Sequence, residues 1–282
     1  MSNNIIIASL KESFLAIKKN KKIFSLVIIL QILFLFLILT ASSFFISKML
    51  QNTQNIIEYS NSLNADPDQS RLDILEKKNP LGDDPLLISR NYKELTKNML
   101  LLLSSIFIIF SLINGLIWYF ISNIKEKRIF SIKIIIFYLL KFFVLSFNLL
   151  LFFYIFIYEL LKIIFSSFLS VSIINSLPAL IISLIIVHFG FIALTLTNKI
   201  SFDKKFKKTM KNIFFIGTKK IVSMIVSYLM FIILISLILA LIYFSLELNL
   251  FLLFAGLVLL IFIFSWSKIY FNIFIKKLSS LV

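Results

Sequence analysis

Charged residues in this chain come in clusters, and long uncharged stretches lie between them. The first stretch, residues 23–47, reads IFSLVIILQILFLFLILTASSFFIS. Comparable runs occupy 99–122, 134–158 (broken only by Lys141), 177–198, 221–244 and 249–272 (which takes in Lys268 near its end). A helix rises about 1.5 Å per residue, so roughly 20 apolar residues cross a hydrocarbon core about 30 Å thick. Each run is long enough. Lipid offers no partner for backbone N–H and C=O groups, and the runs lack the alternation of barrel strands. The pattern therefore predicts an all-α fold, a polytopic membrane bundle of six transmembrane helices. The first run exceeds the roughly 7–15 residues of a signal-peptide core and reads as a retained anchor. Residues 48–98 form the sizeable loop of the chain, expected outside the cytoplasm as a small helical hairpin or a partly disordered cap.

Two polar stretches carry a helical pattern of their own. Across 199–220, Phe202, Phe206, Met210, Ile213, Phe214 and Gly217 share one arc of a helical wheel. Lys204, Lys205, Lys207, Lys208 and Lys211 fill the rest. Such a helix lies in the membrane interface with its lysines toward anionic headgroups. The segment 1–22 repeats the design, with Ile6, Ile7, Leu10, Phe14 and Ile17 on one arc and Lys11, Lys18 and Lys19 outside it. Each amphipathic stretch meets a Lys-Lys pair and then a span, which points to a repeated unit of interfacial helix plus span.

Composition agrees with the pattern: 60% of residues are hydrophobic and 15% charged, against about 45–50% and about 25% in soluble domains. The net charge of +16 is distributed unevenly. Lysine and arginine concentrate before the first span, around 125–133, across 199–220 and at Lys268, Lys276 and Lys277. By the positive-inside rule that side is cytoplasmic, which places both termini there, in a plasma membrane. The same assignment accounts for the basic charge without nucleic acid.

Candidate chemistry is sparse. The absence of cysteine excludes disulfides and thiolate metal sites, and the single histidine excludes a His-pair metal site. No phosphate-binding loop is present, and no cofactor or metal is expected. The acidic clusters at 66–73 and 82–84 read as solvated loop residues. Polar residues inside spans carry the sharper signal, because their burial in lipid is costly. His188, Asn148 and Asn114 fall at comparable depth and form a candidate intramembrane polar site, or interhelical ties. Lys141 reads as a snorkelling lysine, and Trp118, Tyr119, Trp266 and Tyr270 as interfacial anchors.

The recurrence of LKESFLAIKKNKKIF as FKKTMKNIFFIGTKKIV, each before a long span, resembles the layout of six-helix prokaryotic membrane proteins. It is similar to the membrane domain that accompanies some glycerophosphodiester phosphodiesterases. Those enzymes carry catalysis in a separate soluble barrel with His and acidic metal ligands; without such a barrel in this sequence, the resemblance implies no hydrolase activity. The expected role is structural, scaffolding or accessory, with membrane lipids as partners. The layout also resembles the membrane subunit of an ABC-2-like exporter, a permease that would need an ATPase partner. An intramembrane lipid enzyme would require converging groups at Asn114, Asn148 and His188.

Overall fold

The structure, a computed structural model, describes residues 2–63, 86–124, 131–164, 173–197, 206–248 and 250–281. Lys204 and Lys205, and the acidic clusters at 66–73 and 82–84, lie outside the described residues. Among the described residues the secondary structure is helical, without strands. In chain order the elements are α1 (Ser2–Lys19), α2 (Lys21–Leu63), α3 (Leu87–Ile109), a π-helical turn (Phe110–Asn114), α4 (Gly115–Ser122) and α5 (Ile132–Ile164). They continue with α6 (Ile173–Thr195), α7 (Phe206–Lys219), α8 (Ile221–Leu248) and α9 (Leu250–Ser279). Among the described residues six stretches are long and apolar enough to cross a membrane: Lys21–Asn61, Leu87–Ser122, Ile132–Leu160, Leu177–Thr195, Ile221–Ser245 and Leu250–Ser279. This is the all-α bundle of a multipass membrane protein. Pro178 stands inside α6, which begins at Ile173.

The chain divides into two compact units. One comprises residues 35–109 and holds the C-terminal part of α2 together with α3. Its side chains bond largely within their own helices: Thr40 and Thr53 hydroxyls donate to the carbonyls of Phe36 and Met49. Asn55 donates to Asn91 across the pair at 3.4 Å.

The other unit, residues 1–34 and 110–282, contains the main core. Trp118, Tyr119, Tyr138, Phe142, Tyr270, Phe271 and Phe274 pack there with Trp266, and all are buried. Phe231 of α8 meets the rings of Trp266, Tyr270 and Phe271 at 5.1–5.3 Å. The expectation that Trp118, Tyr119, Trp266 and Tyr270 anchor the membrane interface is thus corrected: these rings fill the space between helices. Long apolar residues such as Phe137, Val144, Leu229 and Ile233 point outward instead, as lipid-facing positions do.

The predicted repeat has a structural counterpart. Asn20 follows α1 and Lys220 follows α7, and each accepts at its carbonyl a backbone N–H from the first turn of the following span, that of Phe24 and of Met224. Burial then runs in register along both copies: Ser13 with Ile213, Ala16 with Ile216, Phe24 with Met224, Val27 with Ser227 and Gln31 with Phe231 are all buried. The face that α1 buries differs from its apolar arc. Ile6, Ser9, Ser13 and Ala16 are buried, whereas Ile7 and Phe14 are exposed. The reason is a partner on α9: the Trp266 indole N–H donates to Ser13 Oγ at 2.8 Å, and Lys277 pairs with Glu12 at 2.6 Å. Small residues let the two helices approach closely, so the serine face wins over the isoleucine face.

Close approach recurs at glycines. A Cβ on Gly217 of α7 would run into the Phe189 ring of α6, and one on Gly256 of α9 would sit 2.7 Å from Ile242 of α8. Overpacking of this kind costs about 1–3 kcal/mol. Gly217→Ala is therefore expected to lower the unfolding temperature of the detergent-solubilised protein, and Phe189→Leu in the same chain is expected to restore most of the loss. Scanning fluorimetry on the buried tryptophans reads both.

Candidate functional site

Three helices of the main unit bring polar side chains to one point. Lys268 of α9 donates from Nζ to Gln31 Oε1 of α2 and to Asn114 Oδ1 at the end of the π-helical turn, each at 2.7 Å. Its ammonium also lies 6.0 Å from the Phe34 ring. Gln31 and Asn114 are buried, at 3% and 6% exposure. Local structure explains the placement of Asn114. The π-turn Phe110–Asn114 widens the helix by one residue and so changes the face presented after it; such turns occur mostly as single bulges within helices, frequently at functional sites. Directly after it, a Cβ on Gly115 would stand 2.8 Å from Leu139, so the glycine lets α4 close on α5.

The depth of the cluster follows from Gln31, about nine residues or 13 Å of helix past Lys22, close to half of a core about 30 Å thick. A lysine at such depth costs about 2.5–3.5 kcal/mol to insert. Two hydrogen bonds from a charged donor, about 1.5–3 kcal/mol each, together match or exceed that cost and hold it in place. Lys268 therefore departs from the expectation that it belongs to the basic flank with Lys276 and Lys277. Lys276 does sit at the helix end, donating to the Ser122 carbonyl at 2.8 Å. Between them, Asn272 donates to the Ile121 carbonyl at 2.8 Å. Lys268, Asn272 and Lys276, four residues apart in turn, make one polar stripe on α9.

Of the three residues singled out from sequence, the structure brings none together with another. Asn114 joins Lys268. Asn148 is exposed and donates to the carbonyl of Val144 in its own helix at 3.0 Å. His188 bridges two other helices: Tyr228 Oη of α8 lies 3.2 Å from its Nδ1, and the Gly217 carbonyl of α7 lies 3.4 Å from its Nε2. Depth alone grouped them, and depth does not fix which side of a helix a residue occupies. Gln31 and Lys268 were missed. Gln31 is the only amide in the uncharged run 23–47, a signal of the same kind as Asn114.

Other polar groups of the unit tie helices in pairs. Ser111 and Ser146 share a hydrogen bond of 2.8 Å, and Ser227 and Tyr270 one of 2.9 Å. Among the described residues no group of three or more His, Cys, Asp or Glu is placed to hold a metal ion. On α7, Lys207, Lys208 and Lys211 are exposed, whereas Thr209, Ile213, Ile216 and Gly217 are buried against the bundle.

Substituting Asn114 with Leu removes an acceptor from a buried ammonium and is expected to cost about 1–3 kcal/mol. Asn148→Leu, at an exposed position, is expected to stay within about 0.5 kcal/mol of the parent. Chemical unfolding in detergent, followed by tryptophan emission, separates the two.

Comparison with known proteins finds no matching family model, no similar curated protein and no similar solved structure.

Proposed function

We propose that the protein is a non-catalytic multipass membrane protein with a structural or accessory role, oriented with both termini in the cytoplasm and held by anionic lipid along its basic face. The observation that supports this reading best is the disposition of polar groups inside the main unit. They meet in pairs across helices, serine with serine, tyrosine with serine, indole with serine, as interhelical ties do. Catalysis needs a nucleophile or base with an orienting partner around one reacting atom. Asn114, Asn148 and His188, the side chains that such a site would have used, stand apart in three separate hydrogen-bonding environments.

The lipid contact rests on α7. Its exposed Lys207, Lys208 and Lys211 oppose a buried apolar face, and each lysine near an anionic surface contributes about 1 kcal/mol. The expected behaviour is a higher unfolding temperature in nanodiscs of phosphatidylglycerol than of phosphatidylcholine. Converting the three lysines to Gln is expected to remove most of that difference, as is raising the salt, which shortens the screening length to about 3 Å at 1 M. Equal stability in both lipids would contradict the lipid part of the reading. Stoichiometric co-purification of an ATPase would overturn the accessory role in favour of an exporter subunit.

A further inference from the structure

The cluster at Lys268 has a chemistry that interhelical ties do not need. Both amide oxygens, Gln31 Oε1 and Asn114 Oδ1, face the ammonium. The NH2 groups of the same two amides therefore point elsewhere. Among the described residues neither nitrogen has a protein acceptor, and neither is sealed within the bundle. The ammonium itself carries three hydrogens, of which these bonds use two. Lys268 has no carboxylate partner among the described residues, so its positive charge stands uncompensated in an apolar span. One ammonium N–H and two amide NH2 groups are thus left as donors that an oxyanion can accept from.

The repeat supplies an independent observation. Gln31 corresponds to Phe231, which occupies the same buried position in the second copy and packs on Trp266, Tyr270 and Phe271. The equivalent position of the second copy is thus filled by an aromatic ring. A buried charged network is commonly replaceable by apolar packing without loss of stability, so packing does not require glutamine or lysine here. Lys141 shows the contrast: it also lies in a span, but its ammonium sits 4.4 Å over the Phe137 ring on the same helix, one turn away.

We propose that Lys268, Gln31 and Asn114 bind the anionic headgroup of an amphiphile, a carboxylate or a phosphate on a hydrocarbon chain. The location selects the amphiphile, because a headgroup at this depth leaves its tail in the apolar surroundings of the spans. The site is separate from the basic face of α7 and holds whether or not that face binds lipid.

The test uses the full chain in a neutral maltoside detergent, with dodecanoate, dodecyl phosphate or inorganic phosphate titrated while unfolding temperature and bound ligand are followed. At least one of the two amphiphiles is expected to bind saturably to the parent, and at least tenfold more weakly to Lys268→Gln. Which of the two binds identifies the headgroup. Asn114→Asp places a carboxylate against the ammonium and is expected to fold at least as well as the parent while losing the ligand, so loss of binding is separated from loss of fold. Lys141→Gln is expected to bind as the parent does. Undiminished binding to both Lys268→Gln and Asn114→Asp would overturn the proposal, as would saturation by inorganic phosphate as tight as by either amphiphile.

Discussion

Inside a hydrocarbon layer no water is available, so every polar group must find its partner in the protein. That constraint dictates the backbone first. Helices satisfy their own N–H and C=O groups, and helical segments fill the six apolar stretches found among the described residues. It then dictates the side chains. Hydroxyls in the spans turn back onto carbonyls of the preceding turn, as Ser183 does to Leu180 and Thr195 to Phe191. Several groups that are not satisfied locally are satisfied across helices, and there α9 carries the largest share. It contacts α1 through Trp266 and Lys277, α2 through Lys268, α4 through Asn272 and Lys276, and α8 through Tyr270.

These ties direct the packing more than they strengthen it. Interhelical hydrogen bonds in membrane bundles contribute about 0.6 kcal/mol on average, because the separated helices also find partners. Cohesion comes mainly from contact between surfaces, and the glycines mark where surfaces come closest: Gly115 against Leu139, Gly190 against Leu149, Gly256 against Ile242. The pairing of α1 with α9 shows both effects at once. Ser9, Ser13 and Ala16 give a flat surface, and the indole N–H fixes the register.

Much of this was legible in the sequence because the membrane imposes a length and a composition that are visible residue by residue. The spans, the helical class and the repeat of amphipathic helix plus span all follow from runs of apolar residues and the lysines between them. What was not legible is which side of each helix faces its neighbour. In a span nearly every position is apolar, so the pattern that reveals a buried face in a soluble helix is missing. For that reason Trp118, Tyr119, Trp266 and Tyr270 fitted an interfacial belt as well as a core. Lys268 fitted a basic flank because Lys276 and Lys277 follow within about two turns. Asn114 was recognised as out of place in lipid, but its partner was an ammonium from the last helix and not His188 or Asn148. On α1 the buried side includes Ser9 and Ser13, which the apolar arc does not contain, because the facing helix brings an indole donor to Ser13.

The account depends on lipid being the second solvent of these six helices, crossed an even number of times. The chain has no cysteine, so single cysteines can be introduced one at a time and labelled in sealed vesicles with a membrane-impermeant maleimide. Lys18→Cys and Ser280→Cys are expected to react from one and the same side, and Tyr243→Cys from the other. Reaction of Lys18→Cys and Ser280→Cys from opposite sides would contradict it.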